Sequence, residues 1–120
     1  MSRTVLIVDD EPVVREVLQR YLEAAGYETA LAEDGEVALA KIQAQTRPFD
    51  VILLDLVMPK LGGKAVLRTL QEWNYSARCV ILTGLLDPEE EKELQRLGAR
   101  AFLHKPCTLS DLLAAINPSS

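Results

Sequence analysis

Residues 5–10 read VLIVDD, an apolar run that ends in two carboxylates. Three later runs follow the same plan, reading VILLD at 51–55, VILT at 80–83 and AFLHK at 101–105. Short apolar runs rich in β-branched residues, separated by helical patterns, are typical of buried parallel strands. The carboxyl ends of such strands meet at one edge of the sheet, where ligands bind. The sequence therefore predicts that three carboxylates, one hydroxyl and one ammonium converge on one edge.

Helical patterns fill the intervals and complete five strand-then-helix units. The first helix is expected over residues 11–25, beginning near Pro12 and ending at Gly26. The fourth has only Leu94 and Leu97 as large apolar residues, so we expect it to be the most loosely anchored element. The other elements are expected, in chain order, as a strand at 27–32, a helix from Asp34-Gly35 to Arg47-Pro48, a strand at 50–54, a helix after Gly62-Gly63, an N-cap at Asp87 for the fourth helix, and a last helix carrying Leu109, Leu112, Leu113 and Ile116.

These units predict an α/β fold with helices on both faces of a doubly wound, five-stranded parallel sheet. The strand order 2-1-3-4-5 is one of the two common solutions for such a sheet. In that order the first and third strands are neighbours, so Asp9, Asp10 and Asp55 meet where the winding reverses. Carboxylates this close raise one another's pKa unless a cation intervenes. Mg²⁺ suits the site because it binds a few carboxylate or carbonyl oxygens and leaves positions for phosphate oxygens.

The composition is that of a compact acidic domain. The chain has 120 residues, 48% hydrophobic content and a formal charge of −5, and we expect residues 1–120 to form a single domain. Nucleic acids and anionic membranes bind clustered Lys and Arg, so neither is an expected partner. The sequence carries no secretory leader and no transmembrane pattern, which predicts a cytoplasmic location.

Several residues that often carry chemistry have an ordinary structural explanation here. Cys79 and Cys107 form no metal-ligand spacing, so reduced structural thiols are expected. The only histidine, His104, is expected to be a surface residue at a strand end. Trp73 falls at helical spacing and is expected in or against the core.

The residues at the strand ends also have simple alternatives. Asp9 and Asp10 could cap the first helix, and Asp55 could nucleate the turn that follows it. Thr83 could belong to a turn with the glycine after it, and Lys105 could be an ordinary exposed lysine. Each explanation is reasonable alone. Their joint occurrence, each at the end of a separate strand, favours one shared site.

Taken together, these motifs resemble those of the receiver domains of two-component response regulators, a flavodoxin-like family of the chemotaxis-regulator type. The resemblance extends over essentially all of the chain. It rests on four motifs in chain order: Val8-Asp9-Asp10-Glu11, Asp55-Leu56-Val57-Met58-Pro59 with Gly62-Gly63, Thr83-Gly84, and Lys105-Pro106.

The resemblance implies a phosphorylation site. Asp55 would accept a phosphoryl group from a histidine kinase or a phosphotransfer protein. Asp9, Asp10 and Asp55, with the Val57 backbone carbonyl, would hold Mg²⁺. Lys105 and Thr83 would contact the phosphoryl oxygens. The residue types suit this chemistry, because an Asp carboxylate is a competent nucleophile and phosphoryl transfer needs charge neutralisation on the equatorial oxygens.

The resemblance also implies a switch. Thr83 would move inward on phosphorylation and Phe102 would change rotamer, altering the surface of the fourth helix, fifth strand and fifth helix. The partner reading that surface would be a protein target, an effector domain, or a second copy of the chain in a homodimer. The family often has a cis bond at the position of Lys105-Pro106, and commonly has Phe where this chain has Cys107.

Two other functions remain open from the residues alone. One is a Mg²⁺-dependent phosphatase or phosphotransferase acting on small molecules, and the other is a protein-binding module that works without phosphorylation. Within the preferred interpretation the chain is not an enzyme beyond its own phosphoryl uptake and slow loss. The slow loss is expected because Val57 and Leu85, which flank the approach of water, cannot hydrogen-bond it. The ending Pro118-Ser119-Ser120 resembles the start of a linker.

Overall fold

Five parallel strands form one sheet in the computed structural model, which describes residues 3–84 and 86–117. The sheet order is β2-β1-β3-β4-β5, the expected 2-1-3-4-5 arrangement of a doubly wound, flavodoxin-like fold. The elements within the described residues are β1 (Thr4–Val8), α1 (Pro12–Ala24), β2 (Glu28–Ala32), α2 (Gly35–Ala44), β3 (Val51–Asp55), α3 (Gly63–Glu72), β4 (Arg78–Thr83), α4 (Pro88–Arg96), β5 (Ala99–His104) and α5 (Leu109–Ile116).

Helices cover both faces of the sheet, and alternate strand residues divide between two cores. All five residues of β3, the central strand, are buried. Its Leu54 belongs to the core beneath α2, α3 and α4, which includes Ile42, Leu67 and Leu94. Leu53 belongs to the opposite core, which packs against α1 and α5. Burial on both faces explains why the strands read as continuous apolar runs.

The ends of α1 follow the sequence signals. Pro12 is the first helical residue, where its missing N–H costs no hydrogen bond. Ala25 is the C-cap, and Gly26 follows with φ of 95°. This is the left-handed conformation that favours glycine and ends helices.

Two sequence predictions about the C-terminal ends of the second and third helices are wrong. The second helix ends at Ala44 rather than at Arg47-Pro48, because the chain must extend to bury Phe49, whose amide donates to the Tyr75 hydroxyl at 2.7 Å. Trp73 is the C-cap of α3 and is 40% exposed, so it lies at the rim rather than in the core.

The register of β1 against β3 positions the candidate site. Val8 lies opposite Leu54 in this parallel pair, so the next residues, Asp9 and Asp55, emerge side by side. On the other flank the Lys105 amide donates to the Thr83 carbonyl at 2.9 Å. The sheet therefore brings the ends of four strands to a common edge, as expected for the point where the winding reverses.

We predict that Leu94 provides most of the stabilisation that attaches α4 to the sheet. Leu94 is its one buried residue within the described chain. Leu94→Ala should lower the free energy of unfolding by about 2–5 kcal/mol, because it removes buried methyl groups and leaves a cavity. Leu109→Ala on α5 is the control, since Leu109 is 39% exposed and its truncation should cost only about 0.5–1 kcal/mol. Equal losses for the two variants in urea unfolding would contradict this view of α4.

Candidate functional site

Side chains from four strand ends surround one open cleft. Asp9 follows β1, Asp55 ends β3, Thr83 ends β4 and Lys105 follows β5. The cleft has a volume of about 330 Å³. Its lining comprises Asp10, Glu11, Asp55, Leu56, Val57, Thr83, Gly84 and Lys105.

Three carboxylates form the acidic part of the site. Asp9, Asp10 and Asp55 each offer one carboxylate oxygen, and these oxygens all lie within 4.8 Å of one another. Asp9 is fully buried and Asp55 is 7% exposed, whereas Asp10 is exposed. Such a set of hard oxygen ligands suits a divalent cation, since unneutralised carboxylates repel at this range.

Lys105 provides the positive charge. Its Nζ lies 2.7 Å from Asp9 Oδ2 and 3.3 Å from Asp55 Oδ2, with the side chain 24% exposed. Burial acts to lower the pKa of Lys105, but the carboxylates of Asp9 and Asp55 outweigh it and raise the pKa above its usual value. Lys105 is therefore a cation of the site and not an ordinary exposed lysine.

Asp55 is the carboxylate with the perturbed protonation. Burial, and after it the nearby charge of Asp9, raises its pKa from 3.8 to about 6. Lys105 and the Val57 backbone amide act in the opposite direction without cancelling that rise. A carboxyl group in this state, at the end of a central strand, is typical of functional sites.

The local hydrogen bonds do not support a simple capping role for the first two aspartates. The N-cap of α1 is Glu11, and its side chain makes no cap hydrogen bond. Asp9 Oδ1 accepts from the Glu11 amide at 2.9 Å. Asp9 Oδ2 is buried, and apart from Lys105 Nζ at 2.7 Å it has no hydrogen-bond partner in the described structure. Asp9 therefore directs its carboxylate to the cation of the site and to the Glu11 amide.

Two residues at the site were missed by the sequence analysis. Arg15 donates from Nη1 to the Asp9 carbonyl at 2.6 Å, and Glu11 Oε1 lies 3.6 Å from Lys105 Nζ. Both lie at the N-terminus of α1, which begins beside the cleft. The start of α1 could be predicted from Pro12, but the directions in which the Arg15 and Glu11 side chains point could not.

The predicted switch residues lie at different depths. Thr83 is buried at the cleft, 5% exposed. Phe102 is half-buried, lies opposite Ile81 in the β4–β5 pair, and packs against the core beneath α4.

His104 is exposed at the end of β5, as expected. The Lys105-Pro106 peptide bond is cis, the form that is often found at this position in the family that the sequence resembles.

Comparison with protein families decides the assignment. The model of the response regulator receiver domain matches residues 5–117. The chain belongs to this family. It is therefore a response regulator receiver domain of two-component systems, a signalling domain rather than a metabolic enzyme.

Individual relatives agree with this assignment. Response regulator MprA of Mycobacterium bovis (strain BCG / Pasteur 1173P2) is 40% identical over 114 residues, which are 95% of this chain and 49% of that protein. The chain thus spans about half the length of the curated relatives it matches. Among solved structures, Vibrio cholerae chemotaxis protein CheY4 aligns with a TM-score of 0.90 and 33% identity, covering 97% of each chain. The receiver domain of the Francisella response regulator 1452 gives 0.88 and 31%, covering 97% of this chain and 94% of the other.

The receiver domain's acidic cluster agrees with the family's general use of Mg²⁺ at an acidic pocket. No helix within residues 3–84 and 86–117 combines the length and the apolar character needed to cross a membrane.

We predict a characteristic pH dependence of stability for the metal-free receiver. The pKa of Asp55 is about 6 in the folded chain and near 3.8 as a free side chain. The folded state therefore binds the proton more tightly, and Asp55 should contribute a loss of stability that develops as pH rises from about 4 to about 6 and is complete above it. Urea unfolding in EDTA checks this: wild-type stability minus that of Asp55→Asn should fall across this interval. A difference that is flat, or that rises with pH, would contradict the raised pKa.

Proposed function

We propose that this receiver domain takes a phosphoryl group onto Asp55 from the phosphohistidine of a kinase or phosphotransfer protein. The observation that carries the proposal is the placement of Asp55. Its carboxylate opens into the cleft, 3.3 Å from Lys105 Nζ, with carboxylate oxygens of Asp9 and Asp10 within 4.8 Å. The nucleophile thus lies between a cation and a candidate metal site, which are the two neutralising elements that phosphoryl transfer needs.

The donor set fits Mg²⁺. Three carboxylates face one ammonium, so two negative charges remain uncompensated, and apart from Lys105 Nζ the buried Asp9 Oδ2 has no hydrogen-bond partner among the described residues. Asp9, Asp10 and Asp55, with the Val57 carbonyl, would hold the ion. When bound, Mg²⁺ supplies neutralisation of charge on the phosphoryl oxygens.

The receiver's own residues perform the transfer. A carboxylate oxygen of Asp55 forms the bond to phosphorus while the phosphorus–nitrogen bond of the donor breaks, and the histidine nitrogen leaves with the electron pair. The Lys105 ammonium, already drawn to Asp55, attracts a phosphoryl oxygen. The Thr83 hydroxyl, at the cleft wall, donates to another.

The consequence of phosphorylation is a change of surface. Added charge in the cleft draws Thr83 inward, and Phe102 takes the space that Thr83 leaves. The surface formed by α4, β5 and α5 then binds a protein, which is an effector domain, a separate target or a second receiver. A protein fits better than a nucleic acid because the chain has a formal charge of −5.

Loss of the phosphoryl group should be slow without help. Val57 lines the cleft, is 78% exposed, and has no group that could orient a water. Leu85, the second expected shield, lies outside the described residues. The apolar Val57 two positions after Asp55 also argues against the alternative of a small-molecule phosphatase, because turnover would need an acid or base there.

We predict that Asp55 is the sole phosphorylation site. Acetyl phosphate with Mg²⁺ should add one phosphoryl group per chain, measured by intact-protein mass spectrometry, and Asp55→Asn should abolish the adduct. Asp50→Asn, at the opposite edge of the sheet, is a matched control that should retain it. An adduct that persists in Asp55→Asn, or that maps to His104, would refute the assignment. Sustained phosphate release with many turnovers would favour the phosphatase, and no adduct on the wild type would favour a phosphorylation-independent binding module.

We also predict where the surface change occurs. Hydrogen exchange, measured with and without acetyl phosphate and Mg²⁺, should differ most over residues 84–105, because local opening is easiest where buried contacts are few. Asp55→Asn treated in the same way should show no difference there. A phosphorylation-dependent change confined to α1 and α2 would rule out this route.

A further inference from the structure

The loop of residues 56–62 joins the phosphoacceptor strand to α3. Its backbone contacts Asp55 directly, since the Val57 amide hydrogen-bonds the Asp55 carboxylate and lowers its pKa. The Leu56 amide donates to the Leu82 carbonyl at 3.3 Å, and the Gly63 amide donates to the Leu56 carbonyl at 3.0 Å. The position of this loop therefore sets the position of the Val57 backbone beside the carboxylates.

The N-terminus of α2 packs against this loop and lines no part of the cleft. A Cβ atom added at Gly35 would lie 2.8 Å from Leu61 Cβ and 2.9 Å from Val66 Cγ2, and would also meet the Leu61 carbonyl. The loop thus packs directly on the first residue of α2, at a separation that only glycine allows.

Asp34, the residue before this contact, makes two interactions. Its Oδ1 accepts from the Val37 amide at 2.9 Å and caps α2. Its Oδ2 lies 3.9 Å from Lys60 Nζ. Asp34 is 4% exposed, an unusual burial for a carboxylate that serves only as a helix cap.

Lys60 provides an independent sign that the loop is constrained. Its φ is 66°, a left-handed conformation that residues with a Cβ rarely adopt. Such a conformation persists when surrounding contacts impose it. Asp34 and Gly35 contact two consecutive residues of this segment, Lys60 and Leu61.

We propose that Asp34 and Gly35 are positioning residues for phosphoryl acceptance. They hold the loop of residues 56–62 against α2. This contact fixes the Val57 backbone beside Asp55 and beside the candidate metal site. The inference rests on the proposed function at Asp55 and extends it to residues that line no part of the cleft. Groups that orient a ligand of a metal site from behind commonly affect metal affinity strongly.

Asp34→Asn is the primary test, because Asn preserves the helix cap and removes the charge that faces Lys60. Asp50→Asn is the matched control: Asp50 Oδ2 accepts from the Thr4 amide at 2.8 Å, at the opposite edge of the sheet. Lys60→Met removes the partner charge and leaves the backbone conformation unchanged. Gly35→Ala inserts the methyl group that the contact with Leu61 excludes.

Two measurements by NMR separate positioning from simple stability. In Asp34→Asn, exchange of the Leu56 and Gly63 amides should become about tenfold faster, and the dissociation constant for Mg²⁺ in a MgCl₂ titration should rise by about three- to tenfold. The double variant with Lys60→Met should show little more than either single change, because both remove one interaction. Folded Gly35→Ala should show a larger change than Asp34→Asn in both measurements. Asp50→Asn should match the wild type in both.

The proposal is overturned if Asp34→Asn lowers only the melting temperature and keeps loop exchange and Mg²⁺ affinity within twofold of the wild type. Asp34 would then be only a helix cap. Failure of the proposed function has a different signature: a wild type that takes no phosphoryl group on Asp55. The amide-exchange comparison still decides whether α2 constrains the loop in that case.

Discussion

The parallel pairing of β1 with β3 is the constraint on which the site depends. Because Val8 lies opposite Leu54, two strands that are distant in sequence release their next residues, Asp9 and Asp55, at the same height. A shift of one residue would send one carboxylate to the other face of the sheet. Four fully buried residues of β1 and the wholly buried β3 prevent such a shift, so the apolar core fixes the acidic site.

The resulting carboxylate cluster is electrostatically costly, and much of the local structure offsets that cost. Lys105 lies between Asp9 and Asp55, and the Val57 amide hydrogen-bonds the acceptor. These interactions are insufficient to restore ordinary acidity, since the pKa of Asp55 remains at about 6. Under the proposed function, a divalent cation would reduce the repulsion between the carboxylates, and the phosphoryl oxygens would lie in the positive field of the cation and Lys105.

The residues of the cleft that lie at strand ends could be predicted from the sequence. Those whose place in the cleft depends on the direction of a side chain could not. Asp55 and Lys105 were found because a polar residue that ends an apolar run has one available edge in a parallel sheet. Arg15 could not be found in this way, since a helical residue can point in several directions and only the fold shows which neighbour it meets. Asp34 reads as an ordinary helix cap, and its burial depends on a loop more than twenty residues away. The prediction for Trp73 was wrong because helical spacing was extended to a residue that is the C-cap of α3, where the helix ends.

The attachment of α4 links the cleft to the proposed output surface. One buried side chain, Leu94, holds this helix on the sheet. The helix is also tied to α3 by the Gln71 side-chain amide, which donates to the Arg96 carbonyl at 3.1 Å, and by the Lys64–Glu93 ion pair, whose atoms are 2.9 Å apart and whose side chains are 35% and 43% exposed. Exposed pairs of this kind contribute little stability and are screened by salt. Under the proposed function, a displacement of Thr83 at the cleft wall therefore meets its weakest resistance at α4. Because α4 has few buried contacts, the change of charge at the cleft that we propose would alter the surface of this helix at a low cost in stability.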